Sequence, residues 1–267
     1  MVDSDTAENR HAPAMAGTFP SVLDGVTPAD VRTEPFPHVI VDHALPPDSY
    51  AELAGSFPSF AQVGWDGPAP SNQRFAMSTF LYHILDTLPD AWRRFGATHT
   101  SRDFLRQVHL LFARHWTPAA EAVWQRLDTA TLGLFMQDHD ADIQCDARAE
   151  LNTPVTDTPS SVRGGHLDTA NRLFSGLLYM RPDGDDTPGG DLCLYRPAAG
   201  IDPAQRKNAF AFEPHELVEA VRVPYGANRL VLFPNSPAAI HGVTPRAVSP
   251  WQRNYVFITA EVADDLF

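Results

Sequence analysis

Basic residues are scarce in this chain. Lysine and arginine together number 20 against 33 aspartates and glutamates, giving a formal net charge of −13 and a pI near 5.1. A nucleic-acid partner needs a basic footprint, and none is present. Lysine is nearly missing: Lys207 is the only one, a bias of GC-rich coding that carries no chemistry. Cysteine is limited to Cys145 and Cys193, both inside strand-like patterns, so no disulfide framework is implied. No apolar run approaches the roughly 20 residues of a membrane span, and the first residues lack the charged-then-apolar pattern of a secretory signal. The expectation is a cytoplasmic protein with a small-molecule substrate and no nucleic-acid or membrane partner, its oligomeric state left open. Internal repeats and a nucleotide-binding loop are also missing.

The 267 residues suffice for one good-sized domain with its own core. Residues 1–34 are polar, proline-rich and without period, which predicts a mostly disordered start. The domain is expected over 35–267, with strand and helical support over 35–130 and a β core over 131–267. Phe36 to His43 reads as a strand, and Pro46 to Ala54 as a helix with a proline-led first turn. Gly64 to Gln73 is loop, rich in Gly, Pro and Ser. From about Leu81 to Leu127 the apolar spacing is helical, with Thr100 or Ser101 as one cap and Thr117-Pro118 opening a further helix. From Leu132 the period shifts toward two. Arg172 to Arg181 and Gly189 to Tyr195 are strands joined by an Asp/Pro/Gly turn, and they read as a hairpin-like pair. Asn228 to Pro234 is a buried strand that leads to Ala239 to Pro245. Gln252 to Thr259 alternates so that Arg253, Tyr255 and Phe257 share a face.

The chemistry-bearing feature is His166-Leu167-Asp168 followed by the distant His241. Residues two apart on a strand point the same way, so His166 and Asp168 can meet one ion. A second histidine from another strand completes a two-histidine, one-carboxylate face that leaves roughly three metal positions open, as in non-haem Fe(II) sites. The H-x-D pattern alone is cheap among 11 histidines and 33 acidic residues, and His139-Asp140 is a nearby decoy. No other histidine has a ligand-like pairing; His109 and His115, six apart in a helical stretch, do not share a face.

In order, the motifs are His166-x-Asp168, Leu177-Leu178-Tyr179-Met180, Gly189 to Tyr195, Arg229 to Pro234, His241 to Pro245, and Arg253. This series resembles the Fe(II)/2-oxoglutarate-dependent oxygenases, particularly their prolyl-hydroxylase-like branch, over roughly residues 140–262. The segment Phe36 to Asp42 also resembles the entry strand of that branch. The resemblance implies a mostly β fold with flanking α, a double-stranded β-helix (jelly-roll, cupin-like) core braced by outer helices. It implies His166, Asp168 and His241 as ligands of Fe(II), with 2-oxoglutarate and O2 as co-substrates. Arg253 matches the basic residue that pairs with the distal 2-oxoglutarate carboxylate, which suits a planar guanidinium. Arg246, five residues past His241, is its competitor and should lie in a turn. Tyr179 matches a strand tyrosine that donates to the same carboxylate, and Asn152 is a further candidate contact.

The implied reaction couples decarboxylation of 2-oxoglutarate to succinate and CO2 with oxidation of a substrate C–H bond. The resemblance also implies hydroxylation, or desaturation or cyclisation, and no halogenation, because halogenases of the superfamily lack the carboxylate that Asp168 supplies. An amino acid, a carrier-bound amino acid or a natural-product intermediate is the expected substrate, with a protein side chain as the alternative. Arg163, Arg74 and Trp65 are candidate substrate contacts. The segment from Asn152 to His166, longer than in many relatives, reads as a mobile lid. Two rivals stay open: a cupin-like binding module that keeps metal only as structure, and a metal hydrolase on the same ligands.

Overall fold

Alternation along four central strands sorts their side chains into two worlds, a helix-covered face and an inner face. The computed structural model describes residues 18–203 and 211–267. The strands are β1 (Val39–Asp42), β2 (Arg74–Met77), β3 (Leu132–Leu134), β4 (Ile143–Asn152), β5 (Arg172–Tyr179), β6 (Leu192–Pro197), β7 (Leu217–Val223), β8 (Arg229–Pro234), β9 (His241–Val243) and β10 (Arg253–Glu261). A major sheet runs β1-β8-β5-β10-β4-β2, with β3 added in parallel to β4, and a minor sheet runs β7-β6-β9. Among the described residues every other pairing between these strands is antiparallel. Two antiparallel sheets facing one another, with the chain crossing between them, make the double-stranded β-helix expected above.

One face of the major sheet packs on helices. These are α1 (Pro47–Ala54), α2 (Thr79–Ile84), α3 (Asp90–His99), α4 (Arg102–Leu111) and α5 (Pro118–Trp124). The caps are where the residue types place them. The Ser101 hydroxyl accepts the Phe104 N–H at the start of α4, and Thr117 accepts that of Ala120 with Pro118 in the first turn of α5. Trp92, Phe95, Phe104 and Val108 are buried against Ala147, Ala149, Phe174 and Ile258. Tyr82 pins α2 to β4, donating to the Ala147 carbonyl at 2.8 Å and accepting the Ala149 N–H at 2.8 Å. Between the sheets lies a second core of Leu177, Leu192, Leu194, Val231, Phe233, Tyr255 and Phe257.

Two expectations need correction. The strands read as a hairpin, β5 and β6, do not pair: β5 lies between β8 and β10, whereas β6 lies between β7 and β9 in the opposite sheet. A strand-turn-strand pattern looks the same whether the chain folds back or crosses over, because the alternation of an inner-face strand is identical in both sheets. The predicted disordered start also fails where it can be seen. Residues 1–17 lie outside the described residues, but Phe19, Val22 and Leu23 are buried. Phe19 meets Phe95 edge-on at 5.6 Å, and the Val22 N–H donates to His99 Nε2 at 3.1 Å. A few well-spaced apolar residues anchor this segment to α3 without any periodicity.

Candidate metal centre

The inner face of the major sheet is built in cross-strand rows. Arg253, Asn152 and Arg74 stand opposite one another on β10, β4 and β2. The next row holds Tyr179, Tyr255 and Glu150, and the next Leu177, Phe257 and Arg148. Opposite these rows, the minor sheet supplies the histidines. His166 and His241 form a reciprocal backbone pair, with N–H to O distances of 2.8 and 3.0 Å. That pairing sets the two imidazoles side by side, 4.3 Å between ring centres.

Asp168 completes the cluster. The ligand atoms of His166, Asp168 and His241 all lie within 4.8 Å of one another, and the three residues are buried. Each histidine Nε2 is 3.7 Å from an Asp168 oxygen. Each Nδ1 faces a backbone carbonyl, Gly164 at 2.8 Å and Ala239 at 3.0 Å. With Nδ1–H donating there, both Nε2 lone pairs point at the shared centre, the arrangement that orients metal-binding histidines. Burial and the neighbouring His166 push His241 down to about 4, so its imidazole is neutral at pH 7. Burial opposes ionisation of Asp168, but His241, His166 and the Arg172 guanidinium outweigh it and hold the carboxyl well below its usual range. Neutral imidazoles and an ionised carboxylate are what a divalent metal requires.

Two partners of Asp168 were not anticipated. The Ser175 hydroxyl donates to one carboxylate oxygen at 2.6 Å, and Arg172 Nη1 lies 3.0 Å from the other. Their signals were weak but present: Ser175 shares parity with Leu177 and Tyr179 on β5, and Arg172 follows Asp168 by four residues.

A cavity of about 120 Å³ adjoins the cluster, its walls including Asn152, Arg163, Leu177, Leu192, Arg253 and Phe257. Arg253 is buried without any carboxylate among its described partners. Its Nε donates to the Gly190 carbonyl at 3.1 Å, while Nη2 has no partner. The guanidinium carbon sits about 5 Å from each of three rings, those of Tyr179, Tyr225 and Tyr255. Gly190, at φ +79°, leaves the room: a Cβ there would lie 3.3 Å from the Arg253 Cδ and Nε. Tyr179 is fully buried behind Arg253, outside the cavity wall, with an unpartnered hydroxyl. Asn152, on the wall, has neither its amide nitrogen nor its oxygen engaged.

The remaining expectations divide. Arg246 is buried in the turn, held at 2.7 Å by Asp185 and away from the cavity wall. Arg163 and Arg74 do line the cavity. Trp65 does not; it packs on Phe75 with 5.1 Å between rings, because the loop that carries it folds back on β2. The segment from Asn152 to His166 is not a free flap. Ser160 bridges Arg246, Asn72 bonds Pro154 and Ser160, Ser249 donates to Val155, and Val243 donates to the Arg163 carbonyl.

No protein-family model matches the chain, and no curated protein matches it in sequence. Solved structures do. A prolyl-4-hydroxylase of Pseudomonas putida aligns over 85% of this chain and 93% of its own, at 17% identity and a TM-score of 0.47. The epimerase SnoN, solved with Fe3+, alpha ketoglutarate and nogalamycin RO, aligns over 85% and 79%, at 12% identity and 0.47. An oxidoreductase of the 2OG-Fe(II) oxygenase family from Burkholderia pseudomallei aligns over 84% of both chains, at 12% identity and 0.41. Likeness at this level assigns no residue a role and names no substrate.

Proposed function

We propose that the chain is an Fe(II)- and 2-oxoglutarate-dependent oxygenase that hydroxylates a C–H bond of a small metabolite. One observation carries this reading: a buried His-Asp-His cluster shares its cavity with an arginine that has no anion among its described partners. A buried guanidinium without a counter-charge is costly in a finished protein. It is economical only where an anion arrives as ligand.

The residues present fit both groups. His166 Nε2, His241 Nε2 and one Asp168 oxygen would hold the metal on one face. Arg253 would take the distal carboxylate of 2-oxoglutarate through Nη2, and the Tyr179 hydroxyl is an unpartnered donor beside it. Asn152, next in the same cross-strand row, has both ends of its amide free for the co-substrate. At about 120 Å³ the cavity suits a compact diacid; whole metabolite pockets run to roughly 300–1,000 Å³. When bound, the metal would supply O2 activation, with O2 as the oxidant, one of its oxygen atoms going to succinate as 2-oxoglutarate loses CO2 and the other to the substrate C–H bond. What the chain supplies is placement. Ser175 and Arg172 fix Asp168, the Gly164 and Ala239 carbonyls fix the imidazoles, and Leu177, Leu192 and Phe257 supply the apolar part of an otherwise polar wall.

Anaerobic titration of the Fe(II)-loaded protein with 2-oxoglutarate tests the reading. The expected result is the weak visible charge-transfer band of the chelate, abolished in His241→Ala. Iron binding without the band removes the co-substrate and moves the hydrolase or binding-module reading ahead.

A further inference from the structure

A groove of about 500 Å³ adjoins the inner cavity and shares Arg74, Arg148 and Arg172 with it. Its volume is in the range of a metabolite site, and the inner cavity has no room for a second molecule beside a diacid. The mouth is cationic in a protein of net charge −13. Two of its arginines are fully occupied. Arg148 binds Glu150 at 2.8 Å and Asp146 at 3.4 Å, and Arg172 binds Glu261 at 2.6 Å. Arg74, and Arg163 on the wall of the inner cavity, are not. Arg74 donates to the Tyr255 hydroxyl at 3.5 Å, and its one described carboxylate is Glu150 at 3.6 Å, which it shares with Arg148. Arg163 donates to the Leu167 carbonyl at 3.5 Å, and its one described carboxylate is Asp168 at 3.7 Å, through an oxygen already engaged by Arg172.

Arg163 is therefore a cation set beside a carboxylate that a metal cation is meant to occupy. Nothing in the backbone lets it swing far: the Arg163 carbonyl accepts the Val243 N–H at 3.0 Å, and Gly164 and Gly165 follow directly into His166. Side-chain exposures of 42% for Arg163 and 43% for Arg74 leave both forks open toward the mouth. Neither arginine has a described carboxylate of its own: Glu150 is shared with Arg148, and Asp168 with Arg172.

We infer that Arg163 and Arg74 receive a carboxylate of the organic substrate, so that the enzyme acts on a carboxylic acid entering by the groove along β2 and β4. The inference rests on the oxygenase reading above. Because Arg163 stands within a few ångströms of the metal ligands, the oxidised carbon lies only a few bonds from that carboxylate. A planar acid group matches two guanidinium forks, whereas a neutral amide would leave both charges uncompensated.

The test uses the full chain loaded with Zn(II), which is redox-inert, and 2-oxoglutarate. N-acetyl amino acids and simple monocarboxylic acids, each beside its primary amide, are screened by ligand-observed NMR. Acids are expected to bind and amides not, with acid affinity falling at least tenfold in Arg163→Gln and in Arg74→Gln and recovering partly in Arg163→Lys. Bound 2-oxoglutarate, followed by its own resonances, should persist in all three variants, which also reports that they are folded. Equal binding of acids and amides, undiminished acid binding in Arg163→Gln, or no acid binding at all overturns the inference. Failure of 2-oxoglutarate to bind the wild-type protein instead overturns the parent reading.

Discussion

On the proposed reading, Arg253 is a side chain prepared for a ligand. Three tyrosine rings surround its guanidinium, Gly190 vacates space for its stem, and its one described hydrogen bond goes to a carbonyl rather than an acid. The aromatic faces attract the cation without neutralising it, so the charge stays available. Replacing Arg253 with Met should therefore keep the fold and metal binding while weakening 2-oxoglutarate by about 2–3 kcal/mol, roughly 30–150-fold in Kd. Calorimetric titration of the Zn(II) protein measures this directly, and an unchanged Kd would place the co-substrate elsewhere. The ligands themselves should behave differently. Asp168→Ala removes the one anion of the metal set and leaves Arg163 and Arg172 facing the vacancy, so iron-dependent turnover and retention of Fe(II) on a desalting column should both be lost. Full activity in this variant would end the ligand assignment.

At the scale of elements, the centre depends on how closely the His241 strand passes the chain before His166. Gly242, in β9, lies against the backbone of Gly164 and Gly165: a Cβ there would come within 2.7 Å of the Gly164 carbonyl and 2.8 Å of the Gly165 nitrogen. The contacting atoms are main chain and cannot rotate away. Gly242→Ala should push the His166 segment outward and disturb the reciprocal His166–His241 hydrogen bonds. Metal affinity should fall by at least tenfold, while the far-UV circular dichroism, dominated by the major sheet and helices, remains unchanged. Wild-type metal affinity in Gly242→Ala would mean that the two segments are not held in this register.

For the whole molecule, the described N-terminal segment is tied to the helical layer through a titrating group. His99 is fully buried, stacks on Phe95 at 4.0 Å between ring centres, and accepts the Val22 N–H at Nε2 while Nδ1–H faces the Phe95 carbonyl. Burial lowers it from 6.5 to about 4. The folded state therefore resists a proton that the unfolded chain accepts below about 6.5. The stability it shares in is full above that pH and declines as the pH falls toward 4. Protonation also destroys the acceptor for Val22. Hydrogen exchange over residues 18–26, corrected for intrinsic rates, should lose protection between pH 7 and 5 before α3 does. Equal protection of the segment at both pH values would show that His99 is not its anchor.

Local patterning carried much of this protein. The period-two strands from Leu132 onward, the Ser101 and Thr117 caps, the inward face of Arg253, Tyr255 and Phe257, and the His166-x-Asp168 spacing are all set by residues close in sequence. Their physics is short-ranged, namely backbone alternation, an unpaired helix N–H and a strand's pleat, so it can be read without a partner. Long-range decisions were invisible. Whether β5 turns back onto β6 or crosses to the other sheet, whether Phe19 and Val22 find a groove on α3, and whether Trp65 reaches the cavity depend on surfaces that exist only after collapse. Likewise, Arg253 and Arg246 could be told apart only when Asp185 was found beside Arg246 and no carboxylate among the described partners of Arg253. Charge compensation is a property of three-dimensional neighbours, and so only the tertiary structure shows which of the two arginines has a carboxylate among its described partners.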